Sequence, residues 1–215
     1  MSTQQSNSLY PTTSQDTLEA KPRLEWIDIL KGIGIITVVL GHMYKMNTQP
    51  HDVIFLFHMP LFFFISGYLS KPRVQYLKFF RSRLIRFIVP YISFLIILYP
   101  MDLMLSIRLN RLPQDRDFYW FLITPLIGGQ ALTGFLGVFW FITCLFLVQH
   151  VSNWIITKYQ VSTIVFIGIL TLTMSYINAV IFPNIWLPLN ANVALAAIPI
   201  YLIGYTYKQI KNTRN

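Results

Sequence analysis

The chain has 215 residues, of which 54% are hydrophobic and only 12% charged, with a mean hydropathy of +0.53. Soluble domains carry about 25% charged residues, so this composition excludes an ordinary soluble globule and places the chain in a bilayer. The formal charge of +9 is therefore read by position along the chain, and no nucleic-acid partner is expected. One cysteine, Cys144, rules out an intrachain disulfide framework and a thiolate metal cluster, and no metal site is expected.

Residues 1–22 are rich in Ser, Thr, Gln and Asn and offer almost nothing to bury, which predicts a disordered cytoplasmic arm. No basic start, apolar stretch and cleavage site precede Trp26, so the apolar run that begins there is expected to be a retained membrane helix. A helix needs about 20 mainly apolar residues to cross a bilayer. Six stretches qualify: 26–44, 53–70, 85–106, 134–156, 161–182 and 191–207. The stretch 118–128 is apolar but too short, contains Pro125 and ends at Gly128-Gly129, so it reads as re-entrant or interfacial. The predicted fold class is all-α, a polytopic transmembrane helical bundle of six spans plus that short segment. A membrane domain then covers 23–208 and a cytoplasmic tail 209–215.

With the N-terminus inside, twelve cations fall on the cytoplasmic side: Lys21, Arg23, Lys71, Arg73, Lys78, Arg81, Arg83, Arg86, Lys158, Lys208, Lys211 and Arg214. Four fall outside, namely Lys45, Arg108, Arg111 and Arg116. This bias predicts both termini in the cytoplasm.

Several polar residues lie where a bilayer penalises them. Asp28 and Lys31 are one turn apart in the first span and can neutralise one another, either as an interfacial ion pair or as functional groups. His42 lies about 20 Å further along that helix at 1.5 Å per residue, beside Gly41. His58 enters the second span within Phe57-His58-Met59-Pro60, and an antiparallel hairpin brings it near the depth of His42. Such a pair can be a general base, a ligand pair for haem or metal, or polar residues satisfied by neighbouring helices. Arg83 and Arg86, three apart at the start of the third span, present two guanidinium forks suited to a phosphorylated ligand, with anionic lipid as the rival. His51 and His150 read as incidental, and Trp120, Trp140, Trp154 and Trp186 as interfacial or packing aromatics.

The strings RLEWIDILKGIGIITVVLGH at 23–42, FHMPLFFFISGYL at 57–69 and RSRLIRFIVPY at 81–91 occur in this order. They resemble the integral-membrane acyltransferase-3 family, in particular its fucose 4-O-acetylase-like sugar O-acetyltransferases. Weaker echoes continue in FWFITCLFL at 139–147 and LNANVALAAIPIYLIGYTYK at 189–208. The resemblance implies transfer of an acyl group from cytoplasmic acyl-CoA, a co-substrate with no permanently bound cofactor beside it, to a carbohydrate or lipid-linked sugar of the envelope. It implies a catalytic base or acyl relay at His42, a supporting catalytic role for His58, donor-site roles for Arg23, Arg83 and Arg86, and a pocket shaped by Asp28 and Lys31. A bacterial inner membrane is the implied location. Family members are longer and carry further C-terminal helices, so the resemblance also implies a fragment, or a second chain that completes the bundle. A neutral imidazole suits this chemistry, because it can take the proton of a sugar hydroxyl as that oxygen attacks a thioester. Two other functions fit the membrane polar residues: a permease or exporter of a polysaccharide intermediate, and a haem module ligated by His42 and His58.

Overall fold

The structure is a computed structural model that describes residues 24–44, 48–109, 123–124, 127–129, 132, 134–183, 185 and 187–214. The predicted N-terminal arm, most of the predicted re-entrant segment, Trp120 and Trp186 lie outside the described residues. Among the described residues every regular element is helical. The helices are α1 (Glu25–Met43), α2 (Gln49–Tyr68), α3 (Tyr76–Arg83), α4 (Val89–Arg108), α5 (Trp140–Lys158), α6 (Val161–Ile181) and α7 (Ala191–Arg214). Helices α3 and α4 run on through Leu84–Ile88, so six helices are long and apolar enough to cross a membrane. Helices satisfy their own backbone hydrogen bonds, which is what a bilayer core demands of any segment inside it. The protein is an integral membrane protein built as an all-α bundle.

The third span begins at Tyr76, nine residues before the start that the sequence predicts. Lys78, Arg81, Arg83 and Arg86 thus lie on helix, and only Lys71 and Arg73 remain in the link after α2. Long cationic side chains can lay their stems on apolar surface and keep their charge at the interface, so a basic run does not stop a helix. Within this span, Leu84–Ile88 forms a π turn, closed by the Val89 N–H donating to the Leu84 carbonyl. Pro90 follows at once; it has no N–H for the Arg86 carbonyl and its ring crowds that oxygen, which favours local widening.

Helix α7 is the centre of the bundle and packs on α2, α6 and α5. Where it crosses α2 the two backbones touch. A Cβ at Gly67 would run into the Tyr201 carbonyl, and one at Gly204 into the Phe64 carbonyl. Small residues at a crossing let backbones approach this closely, the usual device of membrane helices. The main core joins Phe63 of α2 to Cys144, Val148 and Ile155 of α5, Ile164 of α6 and Ala194, Ala197, Ile198 and Tyr201 of α7. By contrast α6 is the most apolar span and fully buries only Ile164 and Gly168, as expected of a helix that faces lipid or further helices.

Candidate active site

Helices α1 and α2 pack antiparallel through small residues: Gly34 sits under the Phe62 ring, and Gly41 against Ile54 and Phe55. This close fit brings His42, in the last turn of α1, and His58, in mid-α2, onto one cavity of about 240 Å³. Val38, Phe55, Met59, Phe62, Val138, Trp140 and Phe141 complete its walls. His42 is exposed at the rim, whereas His58 is only 1% exposed. The Phe55 ring meets both imidazoles edge to face, with centroids 5.6 Å from His42 and 4.7 Å from His58. His51 stacks on the same phenylalanine at 4.3 Å and pairs with Asp52 at 2.9 Å, so three histidines surround one ring.

His58 Nδ1 lies 2.6 Å from the Ile54 carbonyl, one turn back on its own helix. A carbonyl can only accept, so Nδ1 carries the proton and in the neutral ring Nε2 holds the lone pair. An imidazole held in one tautomer against apolar walls, with its second nitrogen an acceptor, has the form a general base requires.

A second polar cluster lies toward the other end of the bundle. Arg83 is half-buried, its guanidinium 5.0 Å above the Phe79 ring. Among the described residues no carboxylate pairs with it, and its Nε is buried without a hydrogen-bond partner. His150 packs against the same Phe79 ring at 5.3 Å. It repeats the arrangement of His58: Nδ1 donates to the Phe146 carbonyl at 2.7 Å, while Nε2 is buried without a partner. Gln149 Oε1 and Ser152 Oγ are likewise buried and unpartnered. Nearby, Asn153 grips the link after α2 from both sides, accepting from the Arg73 N–H at 2.9 Å and donating to its carbonyl at 3.1 Å. Lys208 donates to the Ser70 carbonyl at 3.0 Å.

Sequence reasoning misses this cluster. Its signal is the run Gln149-His150-Val151-Ser152-Asn153, four polar residues in five inside an apolar span, because polar groups at membrane depth are costly and mark sites or helix contacts. Arg83 and Arg86 are also less alike than their spacing suggests. Arg83 turns inward beside His150 and Tyr201, and Arg86 is exposed, because the π turn between them breaks the one-turn register.

Lys31 Nζ lies 3.2 Å from Asp28 Oδ1, with the two side chains 43% and 40% exposed, so these residues form an outward ion pair. Neither lines the histidine cavity. Arg23 lies outside the described residues. Among those that are described, no group of three or more His, Cys, Asp or Glu side chains is placed to hold a metal ion.

Comparison with known proteins points to one family. Residues 24–215 match the acyltransferase domain of the acyltransferase-3 family. A stretch of 76 residues is 40% identical to nodulation protein NolL of Sinorhizobium fredii, covering 29% of this chain and 21% of that protein's length. No solved structure matches the chain. Since the domain match takes in every described residue, from the two histidines of the cavity to Arg83 and His150, the chain belongs to the acyltransferase-3 family.

Proposed function

We propose that the chain transfers an acyl group, acetyl in the first instance, from cytoplasmic acyl-CoA to a hydroxyl of an envelope or surface carbohydrate. The observation that carries this reading is the cavity shared by His42 and His58, in which His58 offers an acceptor Nε2. In the proposed reaction an imidazole nitrogen takes the proton of the sugar hydroxyl as its oxygen attacks the thioester carbonyl. The tetrahedral intermediate collapses, the C–S bond breaks, and the departing CoA thiolate recovers the proton from the imidazolium. The products are an O-acyl ester and CoA, with protons in balance. His58 is the better placed base because its tautomer is fixed, and His42 at the rim meets the incoming groups.

Arg83, whose Nε has no hydrogen-bond partner, and exposed Arg86 beside it suit the phosphates of the donor. Gln149, His150 and Ser152 supply unpartnered polar atoms for the polar parts of the donor arm. From His150 to Trp140, a wall of the histidine cavity, is about 15 Å along α5 at 1.5 Å per residue. We assign the arginine end to the cytoplasm of a bacterial inner membrane because twelve cations against four favour that orientation. The exposed apolar faces of α1, α4 and α6 suit lipid or further helices supplied by a longer or second chain.

The test is transfer of labelled acetyl from acetyl-CoA into envelope glycan, in membranes carrying the wild-type chain, His42→Ala, His58→Gln, or Arg83→Ala with Arg86→Ala. Loss of a general base costs about 10²- to 10⁴-fold in rate, so both histidine variants should fall into background while the arginine variant raises the acetyl-CoA requirement. Transfer by wild type that persists undiminished in both histidine variants would refute the site. A Soret band in the purified protein, or solute transport without acetyl transfer, would favour the haem or exporter reading instead.

A further inference from the structure

Helix α3 places aromatic rings and a guanidinium on one stripe. Tyr76, Phe80 and Arg83 follow one another at spacings of four and three residues, which is one face of a helix. Core packing does not account for the two rings: Tyr76 is 46% and Phe80 38% exposed, whereas Phe79 beside them is buried. Their centroids are 6.5 Å apart and their planes differ by 31°, so together they form one aromatic surface. The buried His150 packs on both, edge to face, at 6.0 Å from Tyr76 and 5.3 Å from Phe80. Arg83 lies about 10 Å along the helix from Tyr76 at 1.5 Å per residue. Arg86 and Arg73 are within electrostatic range of it, and the sequence from Val53 to Met101 holds no acidic residue to neutralise the group.

We infer that Tyr76 and Phe80 are the platform on which the adenine base of the acyl-CoA donor stacks, beside the arginines that hold its phosphates. The inference rests on the acetyl-transfer reading above and names how the donor's nucleotide end is recognised. Every base has a π face, and an exposed aromatic ring is a common means of holding a base that is not paired. Phosphates call for guanidinium forks. The stripe offers both in sequence. Inward from the start of α3 it presents two rings and then Arg83; CoA presents its base, its phosphates and then the arm that carries the thioester. Interfacial rings also anchor helices among lipid headgroups. Such an anchor has no use for an arginine one turn beyond on the same stripe, half-buried and with its Nε left without a hydrogen-bond partner.

The test compares two donors in membranes carrying the full chain: acetyl-CoA, and S-acetyl-4′-phosphopantetheine, which has the same thioester arm but no adenosine. Both rings are exposed, so Tyr76→Leu and Phe80→Leu remove the platform without opening the core. Each should raise the half-saturating concentration of acetyl-CoA by about five- to a hundredfold, the range over which truncating an aromatic ring weakens base stacking. The requirement for S-acetyl-4′-phosphopantetheine should not move, and Tyr76→Phe, which keeps the ring, should match wild type. An equal shift for both donors, or none for either, overturns the assignment and leaves the rings as membrane anchors. An 8-azidoadenine derivative of CoA gives a readout without catalysis. Photolabelling of residues 76–83 in wild type, displaced by adenosine 3′,5′-bisphosphate but not by 4′-phosphopantetheine, supports a nucleotide site even if no acetyl is transferred and the reaction reading has failed. Acetyl transfer with no such labelling overturns the platform and leaves the reaction reading standing.

Discussion

Substituting the glycines at the α2–α7 crossing should separate the two helices on which the bundle is hung. In Gly67→Ala the new methyl would occupy the place of the Tyr201 carbonyl, and in Gly204→Ala that of the Phe64 carbonyl. Because the obstacle is backbone, no rotamer change relieves it; the helices must part along the crossing. Overpacking of this kind costs about 1–3 kcal/mol and occasionally more, and two rigid helices put these variants at the upper end. At about 1.4 kcal/mol per factor of ten, 3 kcal/mol lowers the folded-to-unfolded ratio roughly a hundredfold. Two other glycines supply the controls. A Cβ at Gly32 meets nothing within 4 Å, and one at Gly168 meets only Pro199 and Leu202 at 3.7 Å or more. Alanine at Gly32 should even stabilise α1 by roughly 0.5–1 kcal/mol, since it lowers the entropy that the helix gives up on folding. The assay is thermal unfolding in detergent, followed by the fraction that remains monodisperse on gel filtration. If Gly67→Ala and Gly204→Ala melt with Gly32→Ala and Gly168→Ala, the helices do not cross at these residues and the reasoning fails.

Three further outcomes are expected. Phe55→Leu removes the edge-to-face packing on His42 and His58, each interaction worth about 0.5–1.5 kcal/mol; acetyl transfer should fall by one to two orders of magnitude while the acetyl-CoA requirement stays constant, and an unchanged rate would show that Phe55 does not set the imidazoles. Asn153→Ala leaves the Arg73 N–H and carbonyl without their partner, at a cost of about 1–3 kcal/mol; the measurement is thermal stability together with protease cleavage in the link 70–75, which should rise. Asp28→Asn with Lys31→Gln removes an ion pair whose side chains are 40% and 43% exposed, so stability should change by less than about 1 kcal/mol. A larger drop in stability, or a loss of transfer at constant stability, would give the pair a role in the site.

The six spans are legible because length and hydropathy set them almost independently of tertiary packing: α6, the most apolar, is expected at 161–182 and found at Val161–Ile181. The third span starts earlier than its hydropathy implies, because Lys78, Arg81 and Arg83 put the run before residue 85 in the preceding link when cations are taken as terminators. The π turn at Leu84–Ile88 has only Pro90 as its local mark, and it is this turn that breaks the one-turn register of Arg83 and Arg86. Trp140 reads as a packing aromatic in the sequence, since periodicity says which face a side chain occupies but not that it walls the histidine cavity. His150 reads as a lone histidine. Its meaning comes from Phe79, which lies about seventy positions earlier in the chain and which only folding brings beside it.

The histidine cavity and the Arg83 cluster are held apart by a frame with little freedom to shorten the distance between them. Helix α2 carries His58 at its middle and Ser66 and Gly67 near its C-terminal end, and its backbone is locked on α7 at that crossing. Helix α5 carries Trp140 at the histidine end and Gln149, His150 and Ser152 toward the arginine end, with its apolar face packed on Ala194, Ala197 and Tyr201 of α7. Close-packed cores of this kind do not deform continuously, so sliding one helix to carry a group from the arginines to the histidines would disrupt both interfaces. The distance along α5 is about 15 Å. On the proposed reading it is therefore the donor that spans it: the phosphates stay with Arg83 and Arg86, and the thioester reaches the cavity on the flexible arm. On that reading the polar atoms left unpartnered at the arginine end, on Gln149, His150 and Ser152, are the ones that would pair with such an arm. A buried polar atom without a partner costs free energy in every state in which it stays so, and a ligand that pairs it on arrival recovers that cost as binding energy.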